Sequence, residues 1–201
     1  MKLEVSIGEA LDKLSILEIK KELIKDPVKN KDVCNEINEI FPELEKYVND
    51  YQYRCLKLMN KEIWDLCDDM RDLDLDKDTY IKKCVEIVEK NDARFRIKMK
   101  INNKYSSKLR EQKSYNPKKC MIQIIGNIET RGLIRYASFL HDIIYVHYTD
   151  NSMKDMYKDD DTIKIVDECN NFLEKIIIKT IEDINIVSEK WKIKNIELYN
   201  F

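Results

Sequence analysis

Glycine and proline are scarce in this chain, three of each in 201 residues. That excludes phosphate loops built on repeated glycines, the turn-rich β-sandwich and flexible linkers, and it favours helices with short joints. Only two histidines occur, His141 and His147. Neither stands at ligand spacing from a cysteine or carboxylate, and a zinc site needs three or four such groups. Nor does either share a local context with a serine or cysteine nucleophile. The six cysteines lack CxxC spacing and fall mostly at apolar positions of helical patterns, so they read as buried reduced thiols. No apolar run approaches the roughly 20 residues of a membrane span. The start, Met1-Lys2-Leu3-Glu4-Val5, has no apolar signal core. The expectation is a cytoplasmic protein without metal or cofactor.

What is present is a helical pattern. Hydrophobic residues make up 43% and charged residues 37%, which suits a folded protein whose helices keep wet faces. Ser6-Ile7-Gly8-Glu9 has capping-box form ahead of Ile7, Leu11, Leu14, Leu17 and Ile24 at helical spacing. Asp26-Pro27 ends that helix and begins the next, whose stripe is Val33, Ile37, Ile40, Leu44 and Val48. Pro42 is expected to kink or divide it after Phe41. Cys55, Met59, Ile63, Leu66 and Met70 mark a third helix. Asp78 or Thr79 is placed to cap a fourth, with Ile81, Cys84, Val85 and Val88 as its apolar positions and a continuation through Phe95, Ile97 and Ile101, with a break allowed at Asn91-Asp92. Long helices with short joints predict an antiparallel bundle over residues 1–116.

At Ser114-Tyr115-Asn116-Pro117 the pattern changes. Met121 to Ile125 is a short apolar run ending at Gly126, and Ile143 to Tyr148 and Thr162 to Val166 are two more. Ile128, Leu133, Ile134, Ala137 and Leu140 give a helix after the first run, Met153 to Tyr157 a short one after the second. Strand–helix–strand–helix–strand predicts a small parallel sheet. Residues 170–184 read as a further helix, and the tail to Phe201 as an edge strand. The fold class is thus α+β, mainly α: a helical bundle at 1–116, then a small α/β unit at 117–201 of truncated Rossmann type. The lone Gly126, with Glu129 close behind it, falls short of a dinucleotide motif.

Net charge is −2, which supplies no global drive toward nucleic acid or an anionic membrane. Charge is nevertheless segregated. Arg94 to Lys119 holds ten basic residues and one acid, Glu111, and Asp65 to Asp78 holds seven aspartates. Neighbouring helices neutralising one another explains this, as does a phosphate or nucleotide-sugar site. Phe95 and Tyr105 fall on the apolar stripe, so no stacking platform for nucleic acid forms. Asn91, Arg94, Lys98 and Asn102, spaced by three, four and four, share one helix face. With Lys113 they are the candidate anion ligands, and Asp12 or Glu18 on the first helix are the candidates to orient Arg94 or Lys98. An interhelical ion-pair network that sets register is the competing reading of the same residues.

Two resemblances add to this. Val5-Ser-Ile-Gly-Glu-Ala-Leu-Asp-Lys-Leu-Ser-Ile-Leu-Glu-Ile-Lys20, together with Asn91 to Asn102 and Glu111 to Tyr115, resembles an uncharacterised helical family of bacteria and viruses. That likeness covers residues 4–116. Its members are often encoded near polysaccharide-synthesis genes, which implies a setting in glycan synthesis, and the host cytoplasm for a viral member. The second stretch runs from Gly126 to Tyr136, then Asp142 to Val146, Met156 to Asp160 and Ile163 to Val166. It is similar to the opening of fucosyltransferase-like glycosyltransferases. Most of that pattern's loop glycines are missing, Arg131 stands where asparagine is usual, and the donor-binding lobe is not in the chain. The resemblance therefore implies an accessory without independent sugar transfer. The resulting expectation is a non-catalytic accessory or binding module of glycan synthesis, partnered by a glycosyltransferase or by its own copy. An enzyme acting on a nucleotide-sugar or other phosphorylated substrate, and an oligomeric helical scaffold, are the alternatives.

Overall fold

The computed structural model describes residues 3–71, 74–114, 117–149, 157, 160–168 and 175–193. The chain divides into two compact units, residues 1–113 and 114–201. The first is helical: α1 (Ile7–Leu23), α2 (Pro27–Leu44), a 3-10 turn (Glu45–Tyr47), α3 (Tyr51–Asp69) and α4 (Lys77–Lys104). Helix α1 packs against α2, α3 and α4, and α3 packs against α4. The buried core runs through Leu11, Leu14 and Leu17 of α1, Leu56 and Met59 of α3, and Ile97 and Ile101 of α4.

Local chemistry sets each helix end. The Ser6 hydroxyl accepts from Glu9 N at 3.1 Å at the start of α1. At its far end the Asn30 amide donates to the carbonyls of Lys21 and Ile24, which the helix itself leaves unpaired. Asp26 caps α2 with Pro27 in the first turn, as the sequence predicts. Asp50 caps α3. For α4 the cap is Asp76, whose carboxylate accepts from both Asp78 N and Thr79 N, so the helix begins ahead of the expected Asp78 or Thr79.

Four further expectations are corrected. Helix α2 continues through Pro42 to Leu44; so close to the helix end, proline removes one hydrogen bond without dividing the element. Helix α4 is unbroken at Asn91-Asp92, because Asn91 Nδ2 donates back to Ile87 O at 2.9 Å within the helix. The apolar positions of its first half point outward, with Ile81 49%, Val85 50% and Val88 62% exposed. Of the described cysteines, all free, Cys55 alone is fully buried, while Cys34, Cys67, Cys84 and Cys120 are partly exposed.

The second unit contains β1 (Lys119–Ile124), α5 (Arg131–Leu140), β2 (Ile143–Tyr148), β3 (Ile163–Ile165), β4 (Ile176–Ile178) and α6 (Ile181–Lys190). The sheet order is β3-β2-β1-β4 and every pairing is parallel. Its register sets Lys119 opposite Ile143 and Ile122 opposite Ile176. Ile122 and Ile124 of β1, Ile144 and Val146 of β2 and Ile178 of β4 share a core with Leu133, Ile134 and Ala137 of α5 and Ile184 and Val187 of α6. The helix expected over 170–184 is displaced. Three consecutive isoleucines, 176–178, pair with β1 as a strand. The helix starts only after Thr180, which forms a capping box with Asp183. Ile128 likewise precedes α5 rather than joining it. The short helix expected from Met153 lies outside the described residues, Tyr157 excepted; of the tail expected as an edge strand, residues 185–190 belong to α6 and those beyond Ile193 lie outside the described residues.

Candidate functional site

The polar residues singled out in the sequence meet where α1 crosses α4. The first turn of a helix leaves N–H groups without partners, and here other side chains supply them. Ile7 N donates to Ser107 Oγ at 3.1 Å, and Gly8 N to Asn102 Oδ1 at 2.7 Å. Asn102 Nδ2 in turn donates to Ser6 Oγ at 3.3 Å. The N-terminus of α1, an electropositive place that would attract a free anion, is thus filled by the protein's own oxygens. Gly8 makes the approach feasible. A β-carbon there would lie 2.7 Å from the Lys98 carbonyl oxygen and 3.0 Å from Asn102 Oδ1.

One turn along, charge takes over. Lys98 Nζ sits 2.8 Å from Glu9 Oε2 and 2.9 Å from Glu111 Oε2. Burial pushes this ammonium group down, but the two carboxylates outweigh burial and hold it above the usual lysine value. Glu111 shows the reciprocal effect: burial pushes it up, and Lys98 brings it below the usual glutamate value. Lys113 lies 3.8 Å from the other Glu111 oxygen and 5.4 Å from the Phe95 ring centroid. Arg94 Nε is 3.3 Å from Asp12 Oδ1. Asp12, only 3% exposed, also accepts from Asn60 Nδ2 of α3 at 2.9 Å, and Asn60 reaches Ser15 Oγ at 2.7 Å. Three carboxylates (Glu9, Asp12, Glu111) therefore face three cations (Arg94, Lys98, Lys113) in a formally neutral cluster.

Of the residues anticipated, Asp12, Arg94, Lys98, Asn102 and Lys113 are brought together. Two are not. Asn91 bonds its own helix, and Glu18 pairs with Lys57 of α3 at 3.0 Å rather than with Arg94 or Lys98. Glu18 faces instead a cleft of ≈ 690 Å³ between α1, α2 and α3, floored by Ile37 and Phe41. Asn60 and Ser107 as partners, and Glu9 rather than Glu18 as a carboxylate for Lys98, were not anticipated from the sequence. The one available signal was that Glu9 stands a helical turn before Asp12 and so shares its face.

The cluster draws on Ser6, Gly8, Glu9 and Asp12 from the first quoted sequence block, Arg94, Lys98 and Asn102 from the second, and Glu111 and Lys113 from the third. The model of a family of unknown function, DUF6165, matches residues 1–123. The chain belongs to that family. The DUF6165 match contains all three blocks, and hence every residue of the α1–α4 cluster. It ends within β1, so the glycosyltransferase-like stretch from Gly126 onward lies beyond it. No curated protein and no solved structure matches the chain. No group of three or more potential metal ligands occurs among the described residues, and no helix there is long and apolar enough to cross a membrane.

Proposed function

We propose that this DUF6165 protein is a non-catalytic accessory module of glycan or polysaccharide synthesis that docks on a glycosyltransferase through the outward face of α4. The observation that carries this reading is the stripe Ile81, Val85 and Val88, spaced by four and three and about half or more exposed. The opposite side of the same helix is held to α3 by Lys83–Asp69 at 2.7 Å and Lys90–Glu62 at 2.5 Å. A helix anchored on one side while an apolar stripe on the other stays open carries the pattern of a helix used for recognition. The choice of partner rests on the resemblance of residues 126–166 to the opening of glycosyltransferases.

Arg94, Lys98, Asn102 and Lys113 are assigned to setting the register of α1 on α4. An anion reaches Lys98 only by displacing both Glu9 and Glu111.

A photo-crosslinking residue at position 85, introduced in the producing cell, tests the proposal. The expected product is an adduct with a glycosyltransferase that Ile81→Asp abolishes while the helical circular dichroism is kept. Adducts between two copies of this chain alone would favour a scaffold instead. Sugar transfer from a nucleotide-sugar by the purified chain would overturn the non-catalytic reading.

A further inference from the structure

The second unit contains a cavity of ≈ 640 Å³ that none of the foregoing uses. It opens at the edge where β1 and β4 begin, beside the C-terminal ends of α5 and α6. Lys119, Cys120, His141, Lys175, Lys190 and Trp191 line it. No carboxylate lines it among the described residues, in contrast to the cluster on α1 and α4, where every cation faces an acid.

Lysines near helix C-termini often do no more than balance the helix dipole, so the charges need weighing. Two helix ends contribute roughly −0.5 each. Lys119 and Lys190 alone contribute two positive charges, and neither forms an ion pair with another described residue. A surplus of about one positive charge therefore remains from these two lysines. The cavity wall also carries two aromatic rings, Trp191 and His141, 5.7 Å apart and tilted by 57° to each other, so the indole face of Trp191 is the planar surface on offer. His141 Nδ1 faces a carbonyl oxygen, which can only accept, so that nitrogen carries the proton and the ring is fixed in place. Cys120 is no nucleophile here, since burial pushes its thiol up to about 11 despite the nearby Lys190.

We propose that this cavity binds a phosphorylated small molecule bearing a planar ring, of the nucleoside diphosphate type. Its phosphates meet the ammonium groups of Lys119 and Lys190 and its ring lies on Trp191. The volume is within the range of small-molecule sites, roughly 300–1,000 Å³. Lysine suits phosphate as a point charge without demanding a bidentate geometry. The site involves no residue of α4 and does not depend on the partner-docking role.

Full-length protein carrying Trp64→Phe leaves Trp191 as the sole indole reporter. Titration with ADP should give a saturable fluorescence change. In Lys119→Gln/Lys190→Gln the affinity should be at least about tenfold lower, as expected for losing charge-assisted contacts. Pyrophosphate should bind more weakly than ADP, and adenosine more weakly still. In the unmodified protein, ADP should shield Lys119 and Lys190, but not Lys29 on α2, from an amine-acylating reagent read by peptide mass spectrometry. This second measurement needs no variant to fold. Absence of a saturable signal, unchanged affinity in the double variant, or equal acylation with and without ADP would each overturn the site. Pyrophosphate binding as tightly as ADP would remove the ring from the proposal.

Discussion

Single positions in this protein are constrained by contact rather than by composition, and Gly8 shows it best. Its backbone meets that of α4 so closely that one methyl group has no room beside the Lys98 carbonyl. Alanine has the better helix propensity by about 1 kcal/mol, yet Gly8→Ala should destabilise the protein by about 1–3 kcal/mol, the usual cost of overpacking. Chemical denaturation measures this directly, and a stability equal to or above the parent's would refute the close approach. Asp50 is a second such position. It caps α3 through Gln52 N at 2.9 Å and also takes Tyr105 Oη at 2.5 Å and Lys104 Nζ at 2.5 Å from the end of α4. Burial pushes its carboxyl up, but these hydrogen bonds together bring it below the usual aspartate value. A group depressed in the folded state stabilises above its unfolded pKa, about 3.9, and loses that contribution as pH falls through the folded value. Asp50→Asn keeps a capping oxygen and should flatten the fall in Tm between pH 5 and pH 2. Asp50→Ala should lower Tm at every pH. An acid limb as steep in Asp50→Asn as in the parent would show that other carboxylates set it.

At the scale of elements, the helices differ in how firmly they are held. Helix α3 buries eight residues, from Gln52 to Leu66, whereas α2, of nearly equal length, buries only Val33 and Leu44. Local opening costs least where little apolar surface is covered, so amide exchange in α2 should run at least about a hundredfold faster than in α3. Native-state hydrogen exchange by mass spectrometry decides it, and equal protection of the two helices would contradict the burial difference. The same uneven burial explains how far the sequence could be read. Stripes that are packed, in α1 and α3, were legible from spacing alone, as was the change to a parallel sheet after Pro117. The stripe of Ile81, Val85 and Val88 has equal periodicity but faces outward, because spacing reports an apolar face and not whether anything covers it. Strand β4 was hidden for a related reason: Ile176 to Ile178 sits next to a genuine helix, and a window spanning both shows helical periodicity. Face arithmetic placed Arg94, Lys98 and Asn102 together. It could not choose Asp12 over Glu18 as partner, since both project from α1 and only the crossing point with α4 separates them.

For the molecule as a whole, the decisive fact is that each unit owns an apolar core. The interior of the first unit runs from Leu11 to Ile101, and its ion-pair cluster from Glu9 to Lys113, all before residue 114. The second unit's core is drawn from residues 122–187, with Cys120, Trp191 and Ile193 packed at its margin. A unit that encloses its own apolar cluster meets the physical requirement for folding alone. Residues 1–113 expressed by themselves should therefore be monomeric at low concentration, strongly helical, and unfold in one cooperative transition. That transition should still respond to Gly8→Ala. The fragment must retain Glu111 and Lys113, because a cut at residue 105 would take one of the two carboxylates hydrogen-bonded to Lys98 and uncover the first turn of α1, where Ser107 accepts from Ile7. Fragment 1–105 should accordingly melt at lower temperature than 1–113, by several degrees for each kcal/mol lost in a chain of this size. Coincident melts for the two fragments would mean that the clasp beyond α4 adds nothing. A broad, non-cooperative melt of 1–113 would mean that the bundle depends on the second unit for its fold.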